Sequence, residues 1–130
     1  MENHSDISKN FIPYELALKL KELGFDEPCF GFYVPLLDGT QEFELMKFES
    51  QGKKVVLAPL WRQAFRFFRE KYMLSGEIYI FKNIWNFDIE DISNSIQLYT
   101  SDIICYNSYE EAEVECLVKL IEIVKEQNVK

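Results

Sequence analysis

Apolar positions recur along this chain with two periods, and the switches between them set the expected elements. From Pro13 onward, Leu16, Ala17, Leu20 and Leu23 return at helical spacing and predict a first amphipathic helix. Pro13 suits a first turn, where its missing N–H matters least, and Gly24 closes the segment. The run Cys29–Val34 is aromatic and strand-like. Pro35–Thr40 carries an Asp38-Gly39 turn signal, after which Phe43, Leu45 and Lys47 alternate with Glu44, Met46 and Phe48. A hairpin with a loop longer than two residues follows. Gln51-Gly52, with Lys53 and Lys54, marks another turn, and Val55–Ala58 should add a third strand to the same meander.

Helical periodicity restarts at Pro59, with Leu60, Trp61, Ala64, Phe65, Phe68 and Tyr72 on one broad face, so a second helix is predicted over Pro59–Met73. Ser75-Gly76 should break it, and Ile78–Phe81 reads as a buried strand. Asn83–Asn94 shows no clean period and reads as a loop or irregular edge. Ile96 and Leu98, then Ile103–Tyr106, are two further strands separated by a turn at Thr100-Ser101-Asp102. Ser108 with Glu111 three residues on forms a capping box. Tyr109, Ala112, Cys116, Leu117, Leu120, Ile121 and Val124 then trace one apolar stripe whose only gap is Glu113. That helix should end near Gln127, with Lys125 and Lys130 at the negative end of its dipole. The expected fold is α+β, in the order α-β-β-β-α-β-β-α with two or three strands before the last helix, and with three helices packed on one face of a mainly antiparallel sheet. Residues 1–10 are expected to form a flexible tail and 11–130 a single domain.

Composition narrows the functional classes. Of the 130 residues, 48% are hydrophobic and 28% charged, which excludes a disordered chain, and 15% aromatics point to a ring-rich core. The net charge of −8 disfavours direct nucleic-acid binding, whose affinity comes largely from neutralised phosphates. Met1–Asn10 lacks the apolar stretch of a secretory signal, and no run approaches a membrane span, so a cytoplasmic protein without membrane attachment is expected. Cys29, Cys105 and Cys116 are odd in number and widely spaced, which points to buried free thiols rather than disulfides or a zinc site.

The only histidine is His4, in the expected tail, so neither a Ser-His-Asp or Cys-His machine nor a His-dependent metal site is expected. No metal, cofactor or catalytic residue is assigned. Asp88, Glu90 and Asp91 lack the central glycine and twelfth-position glutamate of a calcium loop and read as surface loop. In the second helix Arg62, Arg66 and Arg69 fall at positions 0, 4 and 7 on one face, with Phe67 beside them. Pro59–Tyr72 carries a local +3, against −4 for Asn83–Asn107. These arginines read either as a solvated face, pairing with Glu111, Glu115 or Glu122, or as a site for an anion or acidic partner with Phe67 as an exposed anchor. The last helix presents Glu111, Glu115, Glu122 and Glu126 as a candidate acidic face.

Three stretches, Phe11–Ala17 continuing to Gly24–Gly31, Ala58–Tyr72, and Tyr109–Glu113 continuing to Cys116–Ile123, resemble a set of small proteins of anaerobic gut bacteria and their phages or mobile elements. The likeness covers the three helices and the first strand. Those proteins have no assigned activity, so the resemblance implies an accessory role and carries no site residue over. The expected function is therefore a non-enzymatic interaction protein, binding a protein partner or itself. The alternatives are an acidic nucleic-acid mimic that blocks a basic host protein, and a small enzyme using carboxylate, Tyr or Lys chemistry.

Overall fold

A computed structural model of the chain describes residues 7–45, 55–101 and 106–129. They group into two compact units, Met1–Ala64 and Phe65–Lys130. The fold is α+β, with three helices and two three-stranded antiparallel sheets.

In the first unit, the last residues of the expected tail are ordered: the Asn10 and Phe11 amides donate to the Ile7 and Ser8 carbonyls, and the Ile12 amide donates to Pro59 O at 2.8 Å. Helix α1 (Tyr14–Glu22) begins directly after Pro13 and buries Leu16, Ala17 and Leu20. Gly24 ends it as expected, with φ of 93° and its amide on Lys21 O. Strands β1 (Gly31–Pro35), β2 (Gln41–Leu45) and β3 (Val56–Ala58) follow, in the spatial order β2-β1-β3. The β1–β2 hairpin has the expected long loop, in which Asp38 Oδ1 accepts from the Thr40 amide and hydroxyl.

The meander is corrected: β3 pairs with β1, Gly31 opposite Ala58, so β1 is the central strand. Gly31, Phe32 and Tyr33 are buried whereas β2 is mostly exposed, and the most apolar strand takes the position where neighbours flank it on both edges. Tyr33 Oη donates to Ile12 O at 2.7 Å, which ties β1 to the lead-in of α1. The expected turn at Gln51-Gly52 and the alternation through Met46–Phe48 lie outside the described residues.

Helix α2 spans Trp61–Tyr72, and the division between units falls inside it. Met73, with φ of 57°, turns the chain into β4 (Leu74–Phe81), followed by β5 (Ile84–Asp91) and β6 (Ile96–Thr100) in the order β4-β5-β6. Two expectations are corrected here. Ser75 and Gly76 do not break the helix but lie inside β4; a Cβ on Gly76 would sit 2.6 Å from Cys116 Sγ, so this glycine is there for a close approach. Asn83–Asn94 is no loop: most of it is β5, the central strand, paired with β4 from Leu74–Asp91 to Phe81–Ile84. The chain order is therefore α-β-β-β-α-β-β-β-α, three strands where two or three were expected before the last helix, with β5 the one not foreseen.

The period of two was present in β5, with Trp85, Phe87 and Ile89 against Asn86, Asp88 and Glu90. Its turns hid it. Lys82 and Asn83 both have positive φ, 55° and 66°, and form a two-residue hairpin turn with no glycine to announce it. The second turn hangs on Asp91, whose Oδ1 accepts from the Ser93 amide and hydroxyl. Asp88, Glu90 and Asp91 are thus strand residues, and the surface-loop reading is replaced. The turn expected at Thr100-Ser101-Asp102 is replaced in part as well: Ser101 is fully buried, its amide donates to Phe87 O, and its hydroxyl accepts from the Phe87 amide at 2.8 Å. Of Ile103–Tyr106 only Tyr106 is described, bridged to Trp85.

Helix α3 (Tyr109–Val129) packs on β4 and β5 and buries Ala112, Cys116, Leu117, Leu120, Ile121 and Val124, the stripe read from spacing except for its first member, Tyr109, which is exposed. Helix α1 instead contacts β3, so the expectation of three helices on one face of one sheet gives way to two separate sheets. The capping box forms: Ser108 Oγ accepts from the Glu111 amide at 3.1 Å, and Glu111 Oε1 accepts from the Asn107 amide, one residue earlier than the usual partner. Ser108→Ala is expected to cost about 1 kcal/mol in urea unfolding, with α3 fraying first in amide exchange. No described helix is long and apolar enough to cross a membrane.

Candidate functional site

The four glutamates foreseen as an acidic face share one side of α3. At 100° per residue Glu111, Glu115, Glu122 and Glu126 fall within about 60° of arc, and all four are exposed. The arc opposite carries the buried stripe. Sequence spacing alone fixed this separation, because the apolar positions take the side facing the sheet and leave the carboxylates in water.

Beneath that face the second unit holds a trough. One cavity of about 210 Å³ lies between α3 and the sheet, lined by Phe87, Tyr99 and Tyr106 and, from α3, by Glu115, Val118, Lys119 and Glu122. A second recess of about 320 Å³, bounded by Tyr106, Glu111, Val114 and Glu115, adjoins it through Tyr106 and Glu115. Phe87 stacks on Tyr99 at 5.4 Å and 25° and is tilted against Tyr106 at 5.9 Å and 31°. Pairing of Ile89 with Tyr99 puts the Tyr99 ring on the same face as Phe87, toward α3. The register slips by one residue beyond that pair, between Ile89 and Glu90.

Lys119 interrupts the carboxylates. Its Nζ lies 3.6 Å from Glu122 Oε1 and 4.7 Å from the centre of the Tyr99 ring, so an ammonium already sits in contact with both an anion and a π face. Burial, then the Glu115 and Tyr99 charges, pushes the Tyr106 phenol above its ordinary 10.0. Tyr106 therefore stays neutral at physiological pH and offers a ring and a hydroxyl. Glu113 sits at the expected gap in the stripe, half-buried, where burial and then Glu110 push its carboxyl up while Tyr109 hydrogen-bonds it.

The other candidates are not brought into such a site. Arg62, Arg66 and Arg69 are exposed along one side of α2. Phe67, expected as an exposed anchor beside them, is corrected: it is only 5% exposed and packs edge-on against Phe68 at 5.4 Å and Tyr72 at 5.8 Å. Ala64, Phe65, Phe67 and Phe68 make the buried arc of α2 wide enough to take in the position beside the arginine stripe. Glu122, foreseen as an arginine partner, is bridged by Lys119. Cys29 and Cys116 are buried free thiols as expected, each pushed up to about 12, chiefly by burial. Cys105 and His4 lie outside the described residues.

Among the described residues, no group of three or more His, Cys, Asp or Glu is placed to hold a metal ion. In the first unit a recess of about 340 Å³ has an apolar floor of Ala17, Phe25 and Leu57, with Lys21 and Asp26 at its margin. Spacing did not reveal Phe87, Tyr99 and Tyr106 as one lining, since they lie on separate segments. Lys119, four residues after Glu115 and three before Glu122, was legible in principle. No family model, no curated protein and no solved structure matches the chain.

Proposed function

We propose that this chain is a non-catalytic docking protein whose α3 face takes a basic segment of a partner protein. The observation that carries the reading is the one-sided, exposed row of Glu111, Glu115, Glu122 and Glu126 beside an aromatic-lined trough. Complementary charge steers such a partner and fixes its register, while the rings supply the apolar contact that surface charge pairs lack. An accessory role in a phage or mobile element fits the resemblance of the helical stretches. A nucleic-acid mimic fits less well, because the glutamates recur every ~6 to ~10 Å along the helix axis against ~3.4 Å for the phosphates of one DNA strand, and Lys119 breaks the row.

The test is fluorescence anisotropy of a labelled lysine-rich peptide with the full chain. Changing Glu111, Glu115, Glu122 and Glu126 together to Gln is expected to weaken binding about tenfold or more, since each exposed pair contributes up to ~1 kcal/mol. Changing Glu15, Glu42, Glu70 and Glu77 to Gln removes the same charge elsewhere and is expected to change affinity less than threefold. Equal losses in both variants would show attraction to bulk charge and sink the docking face.

A further inference from the structure

We infer that the trough between α3 and the β5–β6 face is a lysine-reading subsite, and that Lys119 is its intramolecular placeholder. The inference rests on the docking reading above and deepens it, naming the side chain that is recognised. Three features converge. The cavity of about 210 Å³ is of side-chain size, and it is lined by the Tyr99 and Tyr106 rings, with Phe87 stacked behind Tyr99, together with charged side chains of α3. Ring faces carry partial negative charge, and Glu115 and Glu122 supply full charges beside them. Finally, the wall already holds a cation of the right chemistry against the ring: the Lys119 ammonium lies 4.7 Å from the Tyr99 centroid and 3.6 Å from Glu122.

The Lys119 side chain is 31% exposed and comes from the wall of the trough, on the helix that also carries Glu122. A pair three residues apart on one helix adds little to stability. An incoming lysine, arriving from outside with its stem along the rings, desolvates the same slot more completely than a side chain anchored beside it. Displacement exchanges one ammonium for another, so the charge of the slot is conserved while Lys119 is released to solvent. Lys119 thus lowers the apparent affinity of the subsite, and its removal exposes the full ring face.

The experiment uses the intact chain and the lysine-rich peptide in three forms. Lys119→Gln is expected to tighten the unmodified peptide about fivefold, the equivalent of ~1 kcal/mol for a partly desolvated cation–π contact. Lys125→Gln removes the same charge from the same helix away from the trough, and is expected to tighten it less than twofold. Tyr99→Leu should weaken binding about fivefold and abolish the gain from Lys119→Gln. Nε-acetylation of the peptide lysines should abolish the gain as well, whereas Nε-trimethylation, which keeps the charge, should preserve it. Equal tightening by Lys119→Gln and Lys125→Gln would reduce the effect to net charge and overturn the subsite while leaving the docking face intact. Should Tyr99→Leu lower stability, circular dichroism and the affinity of the folded fraction separate unfolding from lost recognition. A folded Tyr99→Leu chain that binds like the parent overturns the proposal.

Discussion

Gly76→Ala is expected to lower the unfolding free energy by about 2 kcal/mol or more, although alanine is ordinarily the better strand residue by ~0.5–1 kcal/mol. The added methyl would lie 2.6 Å from Cys116 Sγ, 3.2 Å from a Phe65 ring carbon and 3.4 Å from Leu120. Cys116 and Leu120 are fully buried, and Phe65 nearly so, which leaves little room to yield. Either α3 lifts from β4 or the side chains leave their preferred rotamers, and both forfeit packing along the interface that holds the second unit together. Shrinking the obstructing side chain should reverse part of the loss. In the double variant with Cys116→Ala, the combined cost is expected to fall short of the sum of the single costs by about 1 kcal/mol, because the two changes share one space. Urea unfolding of the four proteins measures the coupling. Unchanged or increased stability in Gly76→Ala would show that α3 does not approach β4 this closely.

The second large effect is alkaline. Cys116 is fully buried, and burial, followed by Glu113 and Asp88, pushes its thiol from 9.0 up to about 12. Between those values the folded chain holds a proton that the unfolded chain has released. Stability is therefore fully present below pH 9 and falls as the pH rises toward 12, by roughly 1 kcal/mol per pH unit from this group. Cys116→Ala removes the titration. The variant starts from lower stability at pH 7, because it loses packing in the core, but its unfolding midpoint should decline less steeply above pH 9 than that of the parent. Lysines and tyrosines titrate in both proteins, so the difference between the two slopes isolates the thiol. Parallel slopes would mean that the sulfur is reached by water.

Fold class and the helices were legible because each helix carries its own evidence. The capping residues Ser108 and Glu111 and the stripe from Ala112 to Val124 lie within one segment, and no distant partner is needed to interpret them. The same locality made the acidic face readable, since helical geometry alone puts Glu111, Glu115, Glu122 and Glu126 on one side. Strand order was not local. Nothing in the spacing of Gly31–Pro35 says that β3 rather than β2 brings it to the centre. β5 was obscured by its boundaries: a turn at Lys82-Asn83 asks for positive φ from residues that seldom announce it, and Asp91 builds the next turn with its side chain. Phe67 was misplaced because spacing records angular position and leaves open how far a neighbouring surface wraps around a helix.

By itself, the order of residues determined that this is an α+β chain with a ring-rich interior, a capped final helix and one carboxylate-lined side, for these follow from backbone periods and from where charge can remain hydrated. Only tertiary structure decided that the strands divide into two sheets, that Gly76 lies against Cys116, and that Phe87, Tyr99 and Tyr106 meet beneath Lys119. Those relations join residues far apart in the chain, and they are selected by which side chains fill the same space, a constraint that appears only once the elements have packed.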